Sequence, residues 1–258
     1  MKISLENGIY ILQSVTKEDP GFDIWFLHGY GESGFSFQEA FYYMRDYNLY
    51  VPDMAGFGSS LPQNGILTLQ DHADLLEKTI SLISSARPVI LVGHSLGGLI
   101  QTLIAKNRRL NLRGLIFIDS PLYKSEIFIA SKIEDFNDPE KAIHSIRKWM
   151  QSISNNKIYM HRYLASLWRA NPKCFLALAN DLLEYVEHNT LVEEYIKPDV
   201  PKLFIVRGDG VRPEDNLKRL YEENVTVNVV DKAGHWPMIE YPENVYNGII
   251  RQWIENTN

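Results

Sequence analysis

Short runs of apolar residues, each bounded by turn-forming residues, recur along the chain and predict β-strands. Several of these runs are continuously apolar instead of alternating, a pattern typical of strands buried on both faces of a parallel sheet. Longer stretches with helical periodicity separate them, and this alternation favours an α/β fold with helices on both faces of a mostly parallel sheet. The predicted strands lie in the segments GIYILQSV, DIWFLHG, LYVPD, PVILVGH, GLIFIDS, KLFIVRGD and VTVNVVD.

Helical periodicity is clearest in the segment TLQDHADLLEKTISLISS, residues 68–85. Thr68 and Asp71 have the spacing of a capping pair at the start of this helix. The side chains expected to face the core are Leu69, His72, Leu75, Leu76, Thr79 and Leu82 or Ile83. A final helix is predicted in PENVYNGIIRQWIEN, where a proline stands at the start.

The alternation of strands and helices breaks between residues 122 and 197. This stretch holds only helical patterns, such as DPEKAIHSIRKWMQSI, IYMHRYLASLWRA and CFLALANDLLEYVEH. Because it is too long for a loop, it predicts an all-helical cap or lid inserted into the α/β core. The predicted organisation is therefore a core made of residues 1–121 and 198–258, interrupted by a cap over residues 122–197.

Charge and composition exclude several classes of function. The chain has 258 residues, 45% of them hydrophobic and 22% charged, as in ordinary soluble globular proteins. Its net charge of -6 argues against nucleic-acid binding, which usually needs a basic excess. One cysteine fits a reducing compartment, and no run of about 18 apolar residues predicts a membrane span. The N-terminus lacks a signal-peptide pattern, so we expect a cytoplasmic protein, and no exposed heptad or charged tail predicts a protein partner.

A candidate nucleophile lies in the sequence PVILVGHSLGG. Gly93, His94, Ser95 and Gly97 fit the pattern G-x-S-x-G, which follows a predicted buried strand and precedes a predicted helix. Small residues two positions before and after the serine are needed where such a turn brings them together. Ser95 would then stand on a strained turn at a helix N-terminus, with its hydroxyl exposed above the sheet.

The remaining chemistry of a serine nucleophile can be assigned to two further segments. A serine needs a base, and His235 follows a strand and an AGH turn in VVDKAGHWPMIE. His28, Gly29 and Tyr30 come directly after an early strand, in a glycine-rich turn. The backbone N–H groups of Leu96 and Tyr30 are the expected donors of an oxyanion hole.

These motifs together resemble the α/β-hydrolase superfamily. The resemblance rests on FLHGYGES, YVPDMAGFGSS, VILVGHSLGGL, GLIFIDSP and VDKAGHWPMIEYPENV, and it covers nearly all of the core in the right order. The subgroup with this pattern includes carboxylesterases, C–C bond hydrolases, thioesterases and pimeloyl-carrier-protein methyl esterases. A serine at the turn differs from the aspartate nucleophile of related dehalogenases and epoxide hydrolases.

The resemblance leaves two candidates for the acid that orients the histidine. Asp209 follows the strand after which the family usually carries its acid, although the usual G-x-x-D is shortened here to Gly208-Asp209. Asp119 ends the preceding strand, a position that some family members use instead. We prefer Asp209 and keep Asp119 as the alternative.

The predicted reaction is hydrolysis of a small-molecule carboxylic ester or acyl substrate through an acyl-enzyme, with no cofactor. The seven histidines show no metal-ligand spacing, so no metal is expected. A C–C bond hydrolase or a thioesterase would use the same residues. A catalytically idle hydrolase fold serving as a ligand receptor is the non-enzymatic alternative.

Overall fold

The computed structural model of the protein describes residues 1–64, 68–85, 87–209 and 215–257. Within these ranges the strands are β1 (Lys2–Glu6), β2 (Ile9–Ser14), β3 (Asp23–Leu27), β4 (Asn48–Pro52), β5 (Val89–His94), β6 (Leu112–Ile118), β7 (Lys202–Gly208) and β8 (Thr226–Asp231). They form one eight-stranded sheet in the order β1-β2-β4-β3-β5-β6-β7-β8. The β1–β2 and β2–β4 pairs are antiparallel and the other five pairs are parallel. The prediction of a mostly parallel α/β sheet is confirmed.

Burial along the strands explains why most of them could be predicted. Every residue of β3, β4 and β5 is buried, as expected for central strands covered on both faces. The edge strand β1 was not predicted, because Ile3 and Leu5 point their side chains towards solvent.

Helices follow most of the strands. The α-helices are α1 (Ala40–Tyr43), α2 (Leu69–Ser84), α3 (Leu96–Asn107), α4 (Pro139–Ile153), α5 (Ile158–Arg169), α6 (Pro172–His188), α7 (Leu191–Ile196), α8 (Asp215–Glu222), α9 (Pro237–Glu240) and α10 (Gln252–Asn256). A helix of π type spans Asn244–Arg251, and short 3₁₀ turns lie at Gly34–Phe37, Lys124–Glu126 and Ala130–Lys132.

The predicted capping pair of α2 is confirmed, and of the two alternatives for its last core residue, Leu82 and Ile83, it is Ile83 that packs against the core. The side chain of Thr68 accepts the backbone N–H of Asp71, and Asp71 in turn accepts the N–H of Thr68. Ile80 is buried in the core, whereas Leu82 is 62% exposed. The apolar stripe therefore includes Ile80 in addition to the predicted residues.

The stretch from residue 122 to 197 forms α4 to α7 and contains no strand, and all of its residues are described. Asp138 and Asn171 accept backbone N–H groups at the starts of α4 and α6, each followed by a proline in the first turn. We refer to residues 122–197 as the helical segment. No helix among the described residues has both the length and the apolar content needed to cross a membrane.

Four of the six parallel strands, β3, β5, β6 and β7, end at the same edge of the sheet beside the candidate residues. Residues that leave this edge include His28 after β3, Ser95 after β5, Asp119 after β6 and Asp209 after β7. In open α/β sheets, ligands bind at the carboxyl ends of the strands. The fold therefore brings the candidate residues from distant parts of the chain to one edge.

Candidate active site

The turn that carries Ser95 is tightly constrained by its neighbours. Ser95 has φ 49° and ψ −117°, a left-handed conformation that is uncommon outside glycine, and its N–H donates to the Ile118 carbonyl at 2.9 Å. A Cβ added to Gly93 would lie 2.4 Å from the Gly97 carbonyl carbon. One added to Gly97 would lie 2.1 Å from the Leu27 carbonyl oxygen. The glycines are therefore required because the backbones of β3, β5 and α3 touch here.

The ring of His235 is fixed by a short hydrogen bond to Asp119. Nδ1 of His235 lies 2.6 Å from Oδ2 of Asp119, and both side chains are buried. Asp119 is itself held in place, since its N–H donates to Ile205 and its Oδ1 accepts the N–H of Arg207 at 3.3 Å. With Nδ1–H donated to the carboxylate, Nε2 is the nitrogen left to act as a base.

The structure places Asp119, the alternative acid of the sequence interpretation, against His235, and it does not place the preferred Asp209 there. The hydrogen bond to His235 comes from Asp119, whereas the Asp209 carboxylate is about one-third exposed and lies 3.9 Å from Nε of Arg207. Strand β7 pairs with β8 through Gly208, its last residue, so Asp209 leaves the sheet directly.

Burial and nearby charge act on the pKa of His235 in opposite directions. Burial lowers the pKa below its ordinary value, and the hydrogen bond to Asp119 opposes this effect. The positive charges of His94 and Arg207 lower it further, and the net shift is downward. His235 is therefore neutral, and able to accept a proton, at neutral pH.

Leu96 and Tyr30, the two predicted oxyanion donors, line the same pocket as Ser95. Leu96 is the first residue of α3, and Tyr30 follows β3 in a turn where Gly31 has φ +72°. Among the described residues, neither backbone N–H donates to another group. The Tyr30 side chain is anchored elsewhere, because its hydroxyl donates to the Phe175 carbonyl at 2.9 Å and its ring stacks on that of Phe175. Both N–H groups are thus free to bind a developing negative charge.

His28 and Gly29 support the shape of this turn. Nε2 of His28 accepts the Met54 N–H at 2.9 Å, so it carries no proton, and Nδ1 donates to the Gly29 carbonyl. Burial lowers the pKa of His28, which is consistent with this neutral tautomer. A Cβ on Gly29 would lie 2.9 Å from Oε1 of Glu32 and 3.1 Å from Nδ1 of His94. The turn is therefore closely packed against buried side chains.

Comparison with known proteins places the chain in a family. A family model described as "Alpha/beta hydrolase family" matches residues 26–247, most of the chain. This protein belongs to the alpha/beta hydrolase family. The hydrolase is 24% identical over 235 residues to a pimeloyl-[acyl-carrier protein] methyl ester esterase of Pectobacterium atrosepticum, covering 86% of this chain and 90% of the relative.

Two further similarities extend the comparison. The hydrolase is 28% identical over 114 residues to the probable lysophospholipase BODYGUARD 4 of Arabidopsis thaliana, a match that covers 43% of this chain but only 27% of that protein. A solved structure of a thermophilic esterase from Thermogutta terrifontis superimposes with a TM-score of 0.80 at 21% identity, covering 96% and 93% of the two chains. At this identity the structural likeness supports the fold alone.

A largely apolar pocket opens between the sheet edge and the helical segment. Both Ser95 and His235 line it. Glu126 is its one acidic lining residue, and its carboxylate accepts the Leu122 N–H at 2.8 Å and an amide proton of Asn216. The other lining residues are Tyr30, Leu96, Leu99, Pro121, Ile127, Phe128, Ile129, Ala130, Leu182, Leu191 and Tyr195. The described part of the chain holds no group of three or more His, Cys, Asp or Glu side chains suited to bind a metal ion.

Three residues near the hydrolase's site were not identified from the sequence. Glu32 is buried beside the turn of residues 28–31, which we call the oxyanion turn after its predicted role. Arg207 lies beside Asp119, and Phe128 packs edge-on against His235 with the ring centres 4.9 Å apart. A carboxylate after a glycine turn, or an arginine near a strand end, usually indicates a solvated surface position. In the sequence, Glu32 stands out only by its place in the GES segment directly after HGY. Its role can be recognised only in the structure, where His94 lies beside it.

Proposed function

We propose that this hydrolase cleaves carboxylic esters through an acyl-enzyme formed on Ser95. The observation that carries the proposal is the 2.6 Å hydrogen bond between Nδ1 of His235 and Asp119, with His235 and Ser95 lining one pocket. In this arrangement Asp119 fixes the tautomer of the ring, and Nε2 of His235 is directed to act as base for the serine hydroxyl.

Each step of the reaction has a residue to perform it. Ser95 Oγ attacks the ester carbonyl while Nε2 of His235 accepts the hydroxyl proton. The N–H groups of Leu96 and Tyr30 stabilise the oxyanion, and the Asp119 carboxylate stabilises the imidazolium. His235 then protonates the departing alcohol, and it later activates the water that releases the acid and regenerates Ser95.

The pocket lining supports an apolar acyl group. Most of its residues are aliphatic or aromatic, and its one acidic residue disfavours a substrate that carries a carboxylate at that point. The relative named as a pimeloyl-[acyl-carrier protein] methyl ester esterase acts, by that name, on a methyl ester. This supports an ester as the substrate class of the present chain.

The helical segment serves, in this proposal, as a cap that shapes the substrate pocket. Ile127, Phe128 and Ile129 enter the pocket from its first residues, and Leu182 and Tyr195 from its helices α6 and α7. These side chains share the pocket with Ser95 and His235, so they determine which acyl groups fit. Substitutions here should alter chain-length preference more than the rate for the best substrate.

The proposal is tested with p-nitrophenyl esters from acetate to decanoate, and with acyl thioesters, on the wild type and on Ser95→Ala. Ser152→Ala, which changes an exposed serine of α4, is the matched control. We expect hydrolysis by the wild type and the control, and loss of at least about 10³-fold in Ser95→Ala. Preference for thioesters would favour a thioesterase. Absence of hydrolysis on every substrate would contradict the enzymatic proposal and favour a ligand receptor.

A further inference from the structure

A second histidine–carboxylate pair lies directly beneath the proposed catalytic residues. The side chains of Glu32 and His94 are 1% and 0% exposed, and Nδ1 of His94 lies 2.9 Å from Oε1 of Glu32. Glu32 comes from the turn after β3, and His94 is the last residue of β5, next to Ser95. Neither residue lines the pocket, so neither is expected to touch substrate.

The contacts of His94 determine its protonation state. Its Nε2 lies 2.7 Å from the backbone carbonyl oxygen of His235, which can only accept, so Nε2 carries a proton. Its Nδ1 faces the Glu32 carboxylate, which also only accepts when ionised. Burial alone would raise the pKa of Glu32, but the adjoining His94 lowers it to about 2. Against the effect of its own burial, the pKa of His94 is raised by Glu32. The pair is therefore a carboxylate and an imidazolium.

Glu32 connects this pair to both halves of the site. Its Oε2 accepts the backbone N–H of Gly29 at 3.2 Å, in the turn that presents the Tyr30 N–H. Its Oε1 accepts the indole N–H of Trp236 at 2.8 Å, on the residue that follows His235. Through these bonds one buried carboxylate is shared by the oxyanion turn and the segment that carries the base.

We propose that Glu32 and His94 form a buried carboxylate–imidazolium pair that positions His235 and the oxyanion turn relative to Ser95. They are positioning residues, and the inference rests on the proposed ester hydrolysis only for their effect on rate. A hydrogen bond from His94 fixes the backbone of His235, while Asp119 fixes its ring. The two bonds together leave the imidazole little freedom to turn away from the nucleophile.

The pair also acts electrostatically on His235. The charged groups facing that ring are Asp119 at the end of β6, Arg207 on β7 and His94 at the end of β5, with Glu32 behind His94. His94 and Arg207 lower the pKa of His235, and Asp119 raises it. The Glu32 carboxylate attracts a positively charged His235 and so acts in the opposite direction, but it lies behind His94, whose ring centre is 4.8 Å from that of His235. Loss of both charges should therefore raise the pKa of His235.

The test uses Glu32→Gln, which keeps the shape of the side chain and allows His94 to become neutral. Glu77→Gln is the matched control, because Glu77 is equally buried but bonds Asn107, away from the site. We expect Glu32→Gln to lower kcat about 10- to 100-fold with little change in KM, as for a small misplacement of reacting groups. The acid limb of kcat/KM should move to higher pH, and the control should leave both kcat and the limb unchanged.

A second readout does not depend on activity. In protein labelled with ¹⁵N-histidine, the His94 ring should be largely protonated on both nitrogens at pH 7, with its resonances assigned by their loss in His94→Gln. In Glu32→Gln the ring should become neutral at pH 7. If Glu32→Gln fails to fold, the double variant Glu32→Gln/His94→Gln removes both charges and should show the same shift of the acid limb.

The outcomes separate this inference from the proposed function. A neutral His94 ring at pH 7 in the wild type overturns the inference, whether or not the protein hydrolyses any ester. If the acid limb of kcat/KM in Glu32→Gln stays at the wild-type pH, the inference is also overturned, even where kcat falls. A purely structural role of Glu32 would lower kcat without moving the acid limb. If the protein hydrolyses no ester but its His94 ring is protonated on both nitrogens at pH 7, the proposed function is overturned while the carboxylate–imidazolium pair is supported.

Discussion

Replacing Asp119 with asparagine removes the negative charge that faces His235. Nδ1 of the ring lies 2.6 Å from the carboxylate, so the charge centres are about 4 Å apart in the imidazolium form. At an effective dielectric constant of about 20 this interaction is about 4 kcal/mol, which corresponds to about 10³-fold in rate. Loss of the correct tautomer adds to the effect, and removal of the carboxylate from such a triad lowers kcat by about 10⁴-fold. We therefore expect Asp119→Asn to lower kcat by about 10³- to 10⁴-fold.

The matched control is Asp209→Asn. The Asp209 carboxylate is about one-third exposed, and the hydrogen bond to His235 comes from the other aspartate, so kcat should stay within about threefold of the wild type. Both variants are assayed with the best p-nitrophenyl ester near pH 8, and circular dichroism melting checks that each is folded. Asp119→Asn should also melt at lower temperature, because the guanidinium of Arg207, which is 8% exposed, loses a neighbouring charge. A larger loss of kcat in Asp209→Asn than in Asp119→Asn would refute the assignment.

Three further predictions concern pH and packing. The pKa of His235 is lowered by burial and by neighbouring positive charge, so the acid limb of kcat/KM should lie below the ordinary histidine value of about 6.5; a limb above 7 would contradict this. Burial lowers the pKa of His72 to about 4, and neither ring nitrogen has a hydrogen-bond partner among the described residues. The unfolded state therefore binds the proton more tightly than the folded state does. The free energy of unfolding falls as the pH is lowered through about 6.5, by about 2 kcal/mol from pH 7 to pH 5. His72→Leu should remove this part of the pH dependence in urea unfolding, and an unchanged dependence would show that His72 is not its source. Gly97→Ala should lower soluble yield and activity, because the new Cβ would lie 2.1 Å from the Leu27 carbonyl oxygen, whereas Gly248→Ala, with room for a methyl group, should behave like the wild type.

Local patterns were sufficient to predict the parallel core and the turn that carries Ser95. Continuous apolar runs mark β3 and β5 because both of their faces are covered, and this property is visible in the sequence. The glycines around Ser95 reflect backbone contacts within a few residues and with one neighbouring strand. In contrast, β1 exposes its apolar residues at the sheet edge, so its pattern does not distinguish it from an irregular N-terminus.

The acid and the buried pair could not be predicted because they depend on contacts between distant parts of the chain. Asp119 and His235 are separated by 116 residues, and Glu32 and His94 by 62. Whether Asp119 or Asp209 faces the histidine depends on where β7 stops pairing with β8, which a strand pattern locates only to within a few residues. A single buried glutamate has the same local signature as a surface one, so Glu32 became recognisable only through its partners.

The most direct test of the account is covalent labelling of the intact protein with an alkyl fluorophosphonate. Ser95 Oγ should displace fluoride from phosphorus, with the proton taken by His235, and digestion followed by mass spectrometry should locate one adduct on the peptide that contains Ser95. The rate of labelling should fall steeply in His235→Ala and Asp119→Asn and stay close to wild type in Asp209→Asn. A wild-type protein that is folded yet remains unlabelled, or that carries its adduct on another residue, would contradict the claim that Ser95 is the nucleophile.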